Sequence, residues 1–442
     1  MLNDRPVKRR EIFGWAMFDF ANSSYTTVVI TAIYSPFFVR YIVPADWTVR
    51  DSWWSVAVIA STLISLVLSP LVGAICDFSG QKKKYLVASS IVCALATAGL
   101  AFVGPGQVGL ALALLIISNA AFMLSETFCG AFLPDISTEK NIGWISGLGW
   151  GVGYMGGLLS ILLVTQLLVR AEPGTAEYLW QNRSAMLATG VFFLLAALPT
   201  FLLVRNRSVP RPGFEGAGLG RLVKAGIGEL KQAFTATAGN RVLFQFLVAF
   251  MVYMAGLDAI IKFVGIYASE VVQLEGGQFA VLFLILQVSA AAGALGFGVL
   301  ESRLGPKESV LLSLCMWIVG ALAIYFMDSL AAATGQTLAT TFFAIAVVAG
   351  AGLGATQSAS RTIVGLLARP GQTAQAFGFW SMFARLAAIL GAGFGFVGDA
   401  VGRQNAVLLL LGYFVVGGVL LMMVPLRGAL RERQQGQVPA ES

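Results

Sequence analysis

Histidine is absent from the 442 residues. Without imidazole there is no His-ligated metal, no Ser-His-Asp triad and no imidazole proton relay. Charge is scarce as well. Asp, Glu, Lys and Arg make up 12% of the chain, about half of the roughly 25% found in a soluble domain. Cysteine is limited to Cys76, Cys93, Cys129 and Cys315. Each lies in or at the end of an apolar run, too scattered for a disulfide framework or a zinc site, and they read as packing residues. No Gly-x-x-x-x-Gly-Lys-Ser/Thr loop occurs, so ATP is not the direct energy source. Long polar stretches are also missing apart from 205–241, which leaves no soluble receptor domain.

What is present is apolar: 57% of the residues, with a mean hydropathy of +0.80. Runs fall at about 13–40, 53–75, 85–103, 107–131, 144–169 and 185–204, then at about 242–268, 278–299, 309–327, 338–366, 375–398 and 406–425. The first follows Arg5, Lys8, Arg9 and Arg10 but is too long for a signal peptide and lacks a small-residue cleavage site, so it reads as an uncleaved helix. Net charge is +7. With both termini inside, 21 of the 29 Lys and Arg face the cytoplasm, five face the opposite side and three fall inside runs. That bias follows the positive-inside rule and needs no nucleic-acid partner. In 205–241 a turn-rich start leads to Leu219, Leu222, Val223, Ile227, Leu230 and Phe234 at helical spacing, with Arg221, Lys224 and Lys231 between them. This predicts a basic amphipathic helix on the inner membrane surface, read as a connector between two bundles.

The halves repeat. Gly73-Ala-Ile-Cys-Asp77-Phe-Ser-Gly80-Gln-Lys82-Lys83-Lys84 follows span 2, and Gly298-Val-Leu-Glu301-Ser-Arg303-Leu-Gly305-Pro-Lys307 follows span 8. Both have glycines seven apart, an acid between them and bases after the second glycine. The expected fold is therefore all-α and membrane-integral, with twelve transmembrane helices in two pseudo-symmetric six-helix bundles. The bundles are 1–204 and 242–442 (the latter with a short tail), joined by the cytoplasmic linker 205–241. Such repeats imply a transporter with its site between the halves.

Gly73-x-x-x-Asp77-x-x-Gly80-x-Lys82-Lys83 resembles the loop signature of the major facilitator superfamily. Further strings are similar to one branch, the vacuole-effluxer-like family related to autophagy-linked amino-acid exporters. They are Trp15-Ala-Met-Phe-Asp19-Phe-Ala-Asn22-Ser-Ser-Tyr25, Phe132-Leu-Pro134-Asp135-Ile and Ser146-Gly-Leu-Gly-Trp150-Gly-Val-Gly-Tyr154-Met-Gly-Gly157. Gln357-Ser-Ala-Ser-Arg361 and Phe377-Gly-Phe-Trp-Ser381 also fit. Span 7 departs, with Tyr253-Met-Ala255-Gly256 where the family pattern has Tyr-x-Asp-Gly. The resemblance implies a secondary transporter, exporting an amino acid or a similar organic molecule.

Asp19, Glu126, Asp258, Lys262, Arg361 and Arg385 lie well within spans. Each costs roughly 2.5–3.5 kcal/mol at mid-bilayer, so they face one another or a wet cavity. Asp19, Asn22, Ser23 and Thr26 share one helix face, with Tyr25 beside them, and Asn119 and Glu126 share another. Gln357 with Arg361, Ser381 with Arg385, and Asp258 with Lys262 are i, i+4 pairs. The last pair reads equally as self-neutralising, Arg361 as snorkelling to headgroups, and Asp19 as a brace. Glu126 has no base near it in sequence and is the candidate for proton coupling, with Arg361 or Arg385 as counter-charge. Gly73, Asp77, Gly80, Lys82, Lys83, Gly298 and Gly305 are assigned to a gating loop, although the lysines also serve as orientation signals.

These readings converge on a monomeric, multi-pass transporter of the plasma or inner membrane. It moves a small solute by alternating access, with protons as coupling ion and no cofactor. A membrane-embedded transferase and a non-transporting receptor or adapter are the alternatives. Scattered carboxylates and the lack of histidine oppose the first, and the lack of a soluble domain opposes the second.

Overall fold

A computed structural model describes residues 7–47, 50–235, 241–274 and 277–435. The first apolar run is a rod that changes pitch. α1 (Arg9–Tyr25) passes into a π-helical stretch, Thr26–Ala32, breaks at Ile33, and resumes as α2 (Tyr34–Phe37) and a second π-helical turn, Phe38–Ile42. The cause is local. Thr26 to Thr31 are all β-branched and crowd the preceding turn, and Pro36 removes the backbone donor that would bridge the break.

Longer rods follow: α3 (Arg50–Ser79), α4 (Lys82–Gly99), α5 (Val108–Ala131), the one-turn α6 (Leu133–Ile136), α7 (Ile142–Leu163), α8 (Ala176–Leu203) and α9 (Leu219–Thr235). The second half comprises α10 (Arg241–Glu270), α11 (Gly277–Leu304), α12 (Pro306–Tyr325), the short α13 (Met327–Thr334), α14 (Leu338–Leu367), α15 (Thr373–Val401), α16 (Arg403–Met423) and α17 (Leu426–Gln435). Among the described residues eleven helices are long and apolar enough to cross a membrane. With the interrupted first rod they account for the twelve spans. Helices dominate because each backbone N–H and C=O must be satisfied within its own segment where no water is available.

Packing divides the chain into two compact units that exchange segments. One comprises 1–138, 149–227 and 370–381; the other comprises 139–148, 228–369 and 382–442. Thus the start of α7 packs with the second-half helices, and the start of α15 with the first-half helices. In the first unit α1 lies along α8, where Thr200 donates to the Gly14 carbonyl at 2.6 Å, and Trp15 Nε1 reaches the Cys129 carbonyl at 2.8 Å. Cys76, Cys93 and Cys129 are buried and Cys315 is exposed, and none of the four is in a disulfide among the described residues.

Candidate functional site

The polar stripe expected on the first span exists, and most of it is bonded within its own unit. Tyr25 is fully buried, shares a 2.9 Å hydrogen bond with Ser118 Oγ and stacks on Phe122 at 5.0 Å. Asn119 donates to Ser61 Oγ at 2.7 Å. Both side chains hold helices together. Asn22 differs: it is 7% exposed, and its Oδ1 has no hydrogen-bond partner among the described residues. A buried acceptor left open in this way costs free energy unless a donor reaches it. Asp19 and Glu126 are half-buried, and each is engaged by neighbouring groups.

In the second unit Lys262 Nζ stands 2.6 Å from Asp258 Oδ2 and also donates to the Ala388 carbonyl at 3.1 Å. The i, i+4 pair therefore neutralises itself while staying part-exposed. Tyr253 and Ser360 share a 2.8 Å hydrogen bond. Arg361 does not snorkel. It is 4% exposed and donates from Nε to Ser146 Oγ at 3.2 Å and from Nη2 to the Ser146 carbonyl at 2.8 Å. Ser146 Oγ donates in turn to the Ser358 carbonyl at 2.8 Å. The guanidinium thus pins the first turns of α7 to α14. Gln357 and Arg385 are half-buried and engaged by neighbours.

The loop signature carries the sharpest geometry. Asp77 is 4% exposed and accepts the backbone N–H groups of Ala374 at 3.1 Å and Gln375 at 2.8 Å. Those are first-turn donors of α15, which have no partner within their own helix. A carboxylate at a helix N-terminus also meets the positive end of its dipole. One turn earlier a Cβ on Gly73 would overlap the Ala374 carbonyl oxygen. Glycine and aspartate four residues apart therefore form a seat for a helix start. Lys82 is buried too, donating to Asp135 at 2.7 Å and to the Ala131 carbonyl at 3.2 Å, so it ties α4 to the end of α5. Lys83 is half-exposed and Lys84 exposed.

The second copy of the signature sits in the second unit. Glu301 is 5% exposed, is bonded to Thr362, and has its carboxylate where a Cβ on Gly143 would stand. Its Oε2 has no hydrogen-bond partner among the described residues. Gly298 packs against the backbone of Gly143 and Gly147, and Gly305 has φ +96°. Each signature acid thus sits at the start of the fifth span of the opposite sequence half. The repeat in the sequence marked both acids, but not the helix starts they meet.

The linker grips the first copy, which the sequence reading did not anticipate. Asn206 donates to the Gly80 carbonyl at 2.7 Å, and the Arg211 N–H to the Phe78 carbonyl at 3.0 Å. The Arg211 guanidinium lies 4.3 Å above the Phe78 ring, which also packs on Phe214 at 4.7 Å. Farther back, Arg207 forms a two-pronged ion pair with Glu11, its Nη2 at 2.8 Å from Oε2. The signal available was the run of arginines after span 6, which positive-inside counting absorbed without assigning partners.

The family described as "Vacuole effluxer Atg22 like" matches residues 51–434. An uncharacterized MFS-type transporter, YxiO, of Bacillus subtilis (strain 168) is 26% identical over 418 residues, 93% of this chain and 94% of that one. Autophagy-related protein 22-1 of Neosartorya fischeri is 20% identical over 294 residues, 63% of this chain and 47% of that one. Among solved structures, the proton:xylose symporter XylE, of the major facilitator superfamily, superposes with a TM-score of 0.71 at 13% identity, covering 94% of each chain. Fold and family are those of a major facilitator superfamily transporter, not an enzyme. The chain belongs to the Atg22-like vacuole effluxer family.

Proposed function

We propose that this secondary transporter exports an amino acid or a similar small organic solute, with the signature end of its spans at the cytoplasm and protons as the coupling ion. The observation that supports an alternating-access gate is the seat of Asp77 and Gly73 under the start of α15. Its two hydrogen bonds run from the backbone N–H groups of one helix to a carboxylate on another, so they break together when the helix start moves away. The exposed N–H groups can then be taken up by water. A clasp of this kind sets rates between states rather than affinity in either.

Proton coupling is assigned to Glu126, a half-buried carboxyl on the face of α5 that carries Asn119. Protonation removes a charge whose burial costs about 2.5–3.5 kcal/mol, enough to bias two states a few kcal/mol apart. XylE, a proton symporter by name, shares the fold. The direction of transport is carried over from the family's description as an effluxer, and the solute class is what the sequence resemblance implies. The Asn22 carboxamide offers the solute an unpaired acceptor.

The test uses purified protein in liposomes, with solutes first chosen by thermal stabilisation. Glu126→Gln retains exchange of labelled for unlabelled solute but loses accumulation driven by a pH step. If that variant still concentrates solute under a pH step, the coupling role lies elsewhere.

A further inference from the structure

α9 lies beside α3. Leu222 packs in one cluster with Ile75 and Phe78, and a Cβ on Gly226 would stand 3.2 Å from side-chain atoms of Leu71 and Ile75. Leu71, Ile75 and Phe78 form a single stripe of α3 that extends about 12 Å back from its end at 1.5 Å per residue. The 30 residues of α3 measure about 45 Å on the same rise, whereas the hydrocarbon core is about 30 Å thick. The stripe therefore falls at the edge of the hydrocarbon, and α9 runs along the flank of span 2 at headgroup depth.

The opposite side of α9 is uncovered. Arg221 and Lys224 are exposed there, three residues apart. Ile227 is 43% exposed on the same side, and Leu219 at the helix start is 68% exposed. Arg221 is steadied by the Phe214 ring, 5.2 Å below its guanidinium. Glu229, the acid of this helix, is only half-exposed. Exposed bases beside exposed aliphatic side chains match an anionic headgroup above acyl chains, and match poorly a fully aqueous surface.

We infer that residues 219–227 form a docking surface for anionic phospholipid of the inner leaflet. Phosphate groups pair with Arg221 and Lys224 while Ile227 enters the acyl boundary. The same helix packs on Phe78 of the loop signature, so lipid occupancy reinforces the segment that holds Gly80 and, through α3, Asp77. The inference rests on the cytoplasmic placement proposed above and not on any transported solute.

The test takes the full chain with Cys315→Ser and Ile227→Cys, the latter carrying a polarity-sensitive fluorophore. It is reconstituted into phosphatidylcholine vesicles with or without phosphatidylglycerol. Emission shifts to the blue when phosphatidylglycerol is present. High salt and the double variant Arg221→Gln/Lys224→Gln abolish the shift, and soluble glycerol phosphate does not produce it. Identical emission in both vesicle types, or a shift that survives the double variant, overturns the inference. In detergent, added phosphatidylglycerol raises the melting temperature of the unlabelled parent by about 2–4 °C more than phosphatidylcholine does. Arg303→Gln keeps that excess and the double variant loses it; an excess unchanged in the double variant again overturns the inference. External labelling of the linker would instead break the placement, which separates the two failures.

Discussion

Asp77 and Glu301 hold equivalent places in the two copies of the signature yet are satisfied differently. Both Asp77 oxygens accept backbone N–H groups, whereas one Glu301 oxygen has no partner among the described residues. Glu11 shows how a buried carboxylate is kept charged. Burial alone would raise its pKa, but the Arg207 side chain and the Arg205 N–H outweigh that and hold it below the usual glutamate value. A depressed folded-state pKa contributes stability above the unfolded value and loses it as pH falls through the folded one. Glu11→Gln should therefore lower stability at neutral pH by about 0.5–1 kcal/mol, allowing for solvent around Arg207. Melting curves of both proteins should converge as the pH drops below about 4, and a gap that widens in acid contradicts the assignment. Residue identities made the intramembrane charges and the Asp258–Lys262 pair legible in advance. They could not reveal that Arg361 spends itself on Ser146, because 215 residues separate the two and a serine carbonyl leaves no mark in a sequence.

At the scale of elements, apolar run length located the spans because a bilayer of fixed thickness demands it. The break inside the first rod escaped a reading based on hydropathy, since β-branched residues and Pro36 alter backbone geometry without lowering apolarity. The linker illustrates the converse. Its amphipathic helix was readable from spacing, while its grip on the signature depends on backbone shape. Gly80 has φ +66°, and a Cβ there would overlap the Val209–Pro210 peptide. Gly80→Ala should add about 1–2 kcal/mol from the left-handed conformation alone, and steric displacement of the linker on top of it. Opening of 205–214 then rises by about fivefold to thirtyfold. Limited trypsin digestion at Arg205 and Arg207 reads this directly, and unchanged cleavage would show that the linker does not depend on that seat.

For the whole molecule, the apolar runs and the repeat yielded the twelve-span fold, because membrane insertion and pseudo-symmetry both act on the entire chain. The exchange of segments between the packed units was not legible, since it arises from where helices begin rather than from their composition. Orientation is open to a direct check. With Cys315→Ser, Glu215→Cys should react with a membrane-impermeant maleimide only after cells are opened, and labelling of intact cells would reverse the proposed topology. The central claim is that a clasp at the start of α15 paces transport. The most direct measurement is solute counterflow in liposomes for wild type and Asp77→Asn, with binding measured on the same preparations. The account predicts exchange slowed by about tenfold, because the clasped state becomes about 1.4 kcal/mol harder to regain, with affinity within each state unchanged. Normal exchange with weakened binding would contradict it and place Asp77 in a binding site instead.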